Sequence, residues 1–483
     1  MATLITTDTS LASVAEAIRS KSGINDPLTY PDDFIEAIEE LEGGSLENDI
    51  VQRTISGAYE NEYVTFIGPD GLDENGLTSV SFPNCSTVMS YGLGGCSSLA
   101  FANLPKCTYI GSHAFHGDTS LSSIILSTIT ELNDYAFYKC PISSMDFSEC
   151  TRIGEGVFYG NTALSQAILP KCSYIGNGAF MLCSNLTEIS FPKCQYIGYS
   201  ALNGVPSGFL SSMNFPYLSY IGDAAFGAYR TAIILSASFP VCEYIGKKAF
   251  CEFYFPYPSF PACTYIDERA FMQTLAYHSS SASTGIISGY FPNVKTISTS
   301  AFYGCVALTS ISIPLCENIG NQAFRSCRSL TAIHMPKVTS LGSSVFYSCS
   351  SLQSMYLDTC EIIPEYAFFS LASLETVSIP NCREIGSYAF DGCTGLRTLS
   401  LPNCEKINWM AFQGCSNFST LYLLGSKFVS LDYYASRIFS GTLFGKVSEA
   451  KIYVPESLYS QYYNSTAWHM FDGTWSPIVS VPT

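Results

Sequence analysis

Leu308 to Ser329 reads LTSISIPLCENIGNQAFRSCRS, and these 22 residues hold the organisation of most of the chain. Ile311 and Ile313 alternate with Ser310 and Ser312, and Pro314 follows. Apolar alternation ended by a residue that cannot donate to a ladder is the pattern of a short strand. Cys316 comes two residues after the Pro, and an extended piece then runs to Ile319-Gly320. Ala323-Phe324 completes the unit in a tight helical or irregular turn.

The same phase recurs along the chain. The aromatic slot is filled by Phe115, Phe137, Phe158, Phe180, Phe226, Phe250, Phe271, Phe302, Phe324, Phe346, Phe368, Phe390 and Phe412. Leu93 and Leu202 take the same slot, and Phe439 closes the series, giving 16 coils. The commonest spacing is 22; Phe271 to Phe302 is the longest, at 31. Five residues before the slot stands an aliphatic, usually followed by Gly, as in Ile110-Gly111 and Ile385-Gly386. One such coil cannot bury its own apolar face, so the repeat predicts a stack in which each coil covers the next.

This pattern resembles the leucine-rich repeats of the BspA-like (Treponema-type) family, over about Leu77 to Gly441. The resemblance implies an α/β-type solenoid of about 16 coils of ~22 residues. It implies a scaffold whose surface binds partners rather than a particular chemistry. Residues 77–442 form the repeats, 46–76 a linker and N-terminal cap, 443–483 a C-terminal cap, and 1–45 a separate helical module.

In that module Leu11, Val14, Ala15 and Ile18 share one helical face after Ser10, and Phe34, Ile35, Ile38 and Leu41 share another after Pro31. Two short helices in so few residues hold too little core to stand alone, which predicts packing against a copy or a partner. The segments LASVAEAIR and YPDDFIEAI resemble an N-terminal module of phage and prophage tail-fibre proteins of Gram-positive gut bacteria. The resemblance implies attachment to virion tail proteins and a homotrimer. At the other end, Lys451 to Val454 reads as a strand and Glu456 to Phe471 as a helix, with Trp468 and Trp475 covering the last coil.

Composition narrows the function classes. Net charge is −17, and residues 1–50 alone hold 11 acidic against 2 basic side chains. An acidic chain lacks the basic face that a nucleic-acid binder needs. No apolar run reaches the ~18 residues of a membrane span, and Met1 to Ser20 does not read as a secretory signal. Of the 20 Cys, eleven follow the Pro turn and eight lie three residues after the slot, with Cys251 the odd one. That phase reads as small buried thiols stacked between coils. Zinc would need close pairs such as C-x-x-C, and none is present. His113 and His116 make an isolated H-x-x-H, and neither a nucleophile elbow nor a phosphate loop occurs. The chain is read as no enzyme, with no cofactor and no metal.

Candidate contact residues lie where the repeat turns outward or breaks. Each main strand presents outward residues that are mostly Ser or Thr, among which Tyr290, His334, Tyr356 and Tyr422 are aromatic anchors for a glycan or protein. A second column precedes the aliphatic: Tyr109, Tyr174, Tyr196, Tyr220, Tyr244 and Tyr265, at a spacing that lets rings stack. In the central coils CEFYFPYPSF (Cys251 to Phe260) and the insertion before Tyr290 break the rule. Phe253, Tyr254, Phe255, Tyr257, Tyr277 and His278 are the leading binding candidates there, because insertions in arrays map to loops on one face. Two functions remain: a phage tail-fibre or receptor-binding protein contacting the host surface, or a bacterial cell-surface adhesin or interaction protein.

Overall fold

A computed structural model describes residues 5–6, 56–72, 76–206, 214–227, 234, 237–273, 285–432, 437–444, 446–468 and 478–481. The chain divides into two compact units, Met1–Phe209 with Ala225–Gly227, and Leu210–Ala224 with Ala228–Thr483. Each is a stack of parallel-strand coils.

Most coils contribute a main strand, a short second strand and a turn; in several, such as those of Asn214, Ser238 and His334, the main strand shrinks to a single bridge residue. In the first unit the main strands Ser56–Glu60, Gly76–Ser81, Phe101–Asn103 and Ser123–Ile125 pair in parallel, as do Gln166–Ile168 and Glu188–Ser190. In the second, Ser288–Tyr290 pairs with Ser310–Ser312 and Ser354–Tyr356 with Thr376–Ser378. The second strand is the two-residue piece ending in the aliphatic. Seven of these stack in the first unit, from Phe66–Ile67 to Tyr196–Ile197, and ten lie in the second, from Tyr220–Ile221 to Ser430–Leu431. The total exceeds the 16 expected coils by one, because Phe66–Ile67 with Leu72 in the slot already makes a coil. Strand Ile5–Thr6 pairs antiparallel with Phe66–Ile67; the expected helices over Leu11–Ser20 and Phe34–Leu41 lie outside the described residues.

The Ile-Gly pair is explained by how closely coils approach. A Cβ on Gly342 would sit 2.2 Å from the backbone nitrogen of Asn321, so any side chain there would push the coils apart. The slot residues form the core: Phe302, Phe324 and Phe346 are fully buried and stack at 5.3 and 5.5 Å. Burying such a side chain stabilises by roughly 1.5–3 kcal/mol.

The slot turn is irregular rather than helical. The residue two before the slot takes a positive φ in coil after coil, among them Tyr91 (57°), His113 (60°) and Tyr388 (57°), and so does the residue two after, as in Gly160 (71°), Leu182 (63°) and Ser326 (64°). Such residues turn alternate N–H groups along the stack. His113 N, Phe115 N and Gly117 N donate to Asp134 O, Ala136 O and Tyr138 O of the next coil at 2.9, 2.8 and 3.1 Å. The expected solenoid is present with little helix: turns close the coils, and the one helix among the described residues is Glu456–Asn464. It ends well before the expected Phe471, with Ser465 extended as its C-terminal cap. Trp468 is buried as expected, and its Nε1 donates to Val429 O at 3.0 Å.

All twenty cysteines are buried free thiols, and the two phases do different work. A Cys after the Pro turn donates its S–H to the carbonyl two residues on, as Cys172 does to Tyr174 at 3.3 Å. A Cys after the slot donates to the slot carbonyl of the preceding coil: Cys349 to Phe324 at 3.0 Å, Cys393 to Phe368 at 3.0 Å. Burial pushes Cys85 and Cys172 up to about 11, which makes them poor nucleophiles.

Candidate binding surfaces

The alternation that builds the main strands also builds a surface. Inward residues such as Ile311 and Met355 are buried, and the residues between them face out. In the second unit one outward column runs through Ser259, Tyr290, Ser312 and His334 in parallel register, and Tyr356 pairs with Ser378. Tyr290 and Tyr356 are each 50% exposed, and His334 is exposed. Tyr422 is half-buried and stacks on Tyr453 at 4.8 Å, which makes it part of the C-terminal cap as much as of the surface.

The central aromatic cluster is split by the strand alternation. Phe253 and Phe255 are each 2% exposed, packed edge-on or tilted against Phe250 at 6.1 and 5.6 Å. Their expected role as surface anchors is corrected: they fill the core of an irregular coil. Tyr254 is half-buried, and its carbonyl accepts from Ile234 N at 2.8 Å. Pro256 and Pro258 turn inward, which throws Tyr257 out to 62% exposure. It stands beside the Tyr290 column, since Tyr290 N donates to Pro258 O at 2.9 Å. Tyr277 and His278 lie outside the described residues.

In the column before the aliphatic, five of the six Tyr rings stack; Tyr109 has Thr87 in register beside it and no ring partner among the described residues. Tyr174 lies on Tyr196 at 4.7 Å and 3°, with the Arg152 guanidinium 3.9 Å over the other side of the Tyr174 ring. Tyr220, Tyr244 and Tyr265 form a second run at 4.9 and 5.6 Å. The Tyr244 hydroxyl donates to Asp267 Oδ2 at 2.7 Å, and burial together with that bond raises its pKa.

A further pair of aromatic columns lies on the slot turn and escaped the sequence reading. Tyr91, His113 and Tyr135 stack at 4.7 and 5.0 Å, and His116, Tyr138 and Tyr159 at 4.8 and 5.1 Å. The second unit repeats the arrangement with Tyr366 on Tyr388 and Tyr347 on Phe369, at 4.7 and 4.5 Å. The signal was present: these residues stand two before and one after the slot, in constant phase. His113 and His116, 5.3 Å apart, are thus rungs of two ladders, and no cluster of three metal-ligating side chains occurs among the described residues. Burial, then the neighbouring His116, lowers the His113 pKa, against an opposing pull from Asp134. The Tyr135 hydroxyl donates to Glu155, a bond that with burial pushes the Tyr135 pKa up to about 12.

Charge is gathered in one place in the second unit. Glu405 accepts from Arg383 and Lys427 at 2.8 and 2.7 Å, and Lys406 reaches Glu384 at 3.1 Å. These pairs are largely exposed, each worth about 0–1 kcal/mol, and they satisfy one another across coils.

A family profile described as "BspA type Leucine rich repeat region (6 copies)" matches residues 61–165, 86–207, 151–278 and 295–419, together 343 of the 483 residues. Among solved structures, the chain is similar to a leucine-rich repeat protein from Bacteroides ovatus, at 18% identity, over 87% of this chain and 95% of that one, with a TM-score of 0.36. It is similar to a leucine rich cell surface protein from Faecalibacterium prausnitzii, at 19% identity, over 80% and 91%, with a TM-score of 0.30. An internalin from Listeria monocytogenes matches at 13% identity over 91% and 94%, with a TM-score of 0.22. No curated protein matches the chain. At these identities the likeness is one of fold.

Proposed function

The chain belongs to the BspA-type leucine-rich repeat family, and we propose that it is a non-enzymatic binding protein of a bacterial surface that holds its partner on the strand face of the second unit. The observation that carries this reading is the exposure of Tyr257, Tyr290 and Tyr356 on a face made mostly of Ser and Thr. Coil stacking does not require these rings. A Tyr ring on a flat hydrated surface offers contact area at little entropic cost, and a few such anchors dominate binding energy. His334 sits between Tyr290 and Tyr356 in the same outward phase. The surface setting is supported by the family. A narrower reading puts the chain in a virion tail, with residues 1–45 joining tail proteins or forming a trimer. Its support is the resemblance of that segment alone, and the presence or absence of tail genes beside this one tests it.

Replacing Tyr257, Tyr290 and Tyr356 together by Ser tests the strand face. At roughly 2 kcal/mol per anchor, binding to intact host or bacterial cells should fall more than tenfold. Wild-type binding by a variant with unchanged melting would sink the proposal. Tyr422→Ser is the control, since that ring is already engaged with Tyr453.

A further inference from the structure

Each coil of the second unit can be tied to the next on three sides: main strand, short strand and slot turn. The short-strand ladder runs from Tyr220–Ile221 to Ser340–Leu341, stops, and resumes from Ile362–Ile363 to Ser430–Leu431. One residue accounts for the stop. At the interfaces on either side, the residue after the aliphatic donates its N–H to the aliphatic carbonyl of the preceding coil: Gly342 to Ile319 and Gly386 to Ile363, both at 2.7 Å. Between them that residue is Pro364, which has no N–H, and no described residue donates to Leu341 O. A side chain alone does not break the bond, since Asp267, Ser298 and Asn408 hold the same position and donate at 2.9, 2.8 and 2.9 Å. Two further bonds lapse with it. Thr339 N and Ser340 N reach Glu317 O, and Arg383 N and Glu384 N reach Glu361 O, but no bond joins Glu361 N or Ile362 N to Thr339 O.

Three other observations fall on the same interface. Leu341 is half-buried, where Ile319 and Ile363 are buried. Phe346 and Phe368 lie 6.0 Å apart, against 5.1 to 5.6 Å for the other consecutive slot rings of the unit. The main-strand ladder also lapses: Ser312 bridges His334, and pairing begins again with Tyr356 on Ser378. Elsewhere, as between Ser238 and Ser259 or Ser378 and Ser400, such a lapse is covered by paired short strands. The turn side is intact. Ser344 N, Phe346 N and Ser348 N donate to Glu365 O, Ala367 O and Phe369 O, each at 2.9 Å.

We infer that this seam is a hinge: the second unit bends there about the slot turn, and its strand side opens and closes. In a stack whose coils touch only their neighbours, deformation gathers at the weakest interface. An interface bonded on one edge and loosened on the other two moves about the bonded edge, as hinges absorb motion in a few residues. Tyr290 and His334 stand on one side of the seam and Tyr356 on the other, so the bend sets the distance between the strand-face rings. This bearing on a partner rests on the reading of that face as the binding surface; the hinge itself does not.

Double electron–electron resonance on the intact chain tests it. One spin-label pair, Ser312→Cys with Ser400→Cys, spans the seam on the strand face. The other, Thr299→Cys with Ser387→Cys, spans it on the turn side. Each covers four coil steps, roughly 19 Å. All the native thiols are buried, so the introduced ones take the label. The strand pair should give a distance distribution at least about twice as broad as the turn pair. Pro364→Ser, which restores the N–H, should narrow it to the width of the turn pair. Equal widths without that change overturn the hinge, and this comparison stands even if Pro364→Ser folds poorly. An unnarrowed distribution in well-folded Pro364→Ser overturns it too. Cell binding separates the two readings. Equal widths, with binding still lost in the Tyr257, Tyr290 and Tyr356 variant, discard the hinge and keep the strand face. A broad strand pair in a chain whose triple variant binds cells normally keeps the hinge and discards the strand face.

Discussion

Two aromatic columns in this protein share a geometry and differ in everything else. Inside, Phe302, Phe324 and Phe346 stack at 5.3 and 5.5 Å; on the slot turn, Tyr91, His113 and Tyr135 stack at 4.7 and 5.0 Å. Both spacings are inherited from the distance between coils. The inner rings have lost all contact with water, whereas the outer ones keep an edge in solvent. Stacking geometry alone therefore does not show that a ring holds the fold together. Burial separates rings that stabilise the coil from rings that are available to a partner.

The sharpest challenge to that distinction is to cut one ring from the inner column. Phe324→Ala should cost about 3–5 kcal/mol, through lost burial and the cavity left between Phe302 and Phe346. The midpoint of urea unfolding reads this directly, and a loss below about 1 kcal/mol would break the comparison.

In the first unit Asp118 and Asn161 interrupt the post-slot column of buried cysteines. Asp118 occupies the post-slot position that Cys96 and Cys140 take in the coils on either side, fully buried, with neither carboxyl oxygen hydrogen-bonded. Burial raises its pKa to about 9, only partly offset by the Cys96 and Gly95 backbone. A carboxyl whose folded pKa lies above the unfolded value of about 3.9 keeps its proton while the unfolded chain loses it. Its contribution is thus intact below about pH 4, declines as pH rises toward 9, and is then constant. Asp118→Asn should stabilise on the order of 2–3 kcal/mol at pH 8 and change little at pH 4. Asn161 shows that the amide fits this column: its Nδ2 donates to Ile142 O at 3.1 Å. Equal effects at both pH values would rule out the buried charge as the cause.

The turn between the columns gives a smaller effect of opposite sign to the first. Leu182 takes a φ of 63° where Gly160 and Gly204 serve in the adjacent coils. Left-handed backbone costs a side chain roughly 1–2 kcal/mol, part of which glycine's greater unfolded freedom cancels. Leu182→Gly should raise stability by about 0.5–1 kcal/mol in calorimetry, and a loss would mean that the half-exposed Leu side chain packs more than it strains. Last, Tyr196→Ala removes an outer ring stacked on Tyr174 and should cost only about 0.5–1.5 kcal/mol. A cost matching that of Phe324→Ala would erase the distinction between the columns.

The repeat, both strands, the slot and the burial of the thiols were legible because each is a one-dimensional phase. The split of CEFYFPYPSF was not. Alternation has two possible phases, and only the packing of Phe253 and Phe255 around Phe250 selects the one that buries them. The positive φ values escaped for a different reason. Glycine advertises such positions, but here Tyr91, His113, Lys139 and Leu182 occupy them, held by bonds to the next coil. The turn-side ladders share a constant phase, but Gly156, Gly178, Ser200, Lys248 and Gln322 take the same position in other coils, so no one residue type marks it.

The hydrogen bonds of the slot turn give each stack a direction. Main-strand bonds run both ways along the stack, as when Phe82 N donates forward to Asn103 O and Ala100 N donates back to Thr78 O. On the turn side they do not alternate. Tyr91, Leu93 and Gly95 donate forward to Ser112, Ala114 and His116, and Phe368 and Ser370 donate forward to Ala389 and Asp391. Peptide dipoles that point the same way add, as they do along an α-helix. One side of each stack is therefore electrically polar along its length, with carbonyl character toward the chain's beginning and amide character toward its end. Two such stacks laid side by side in the same sense repel along that side, and in the opposite sense they attract.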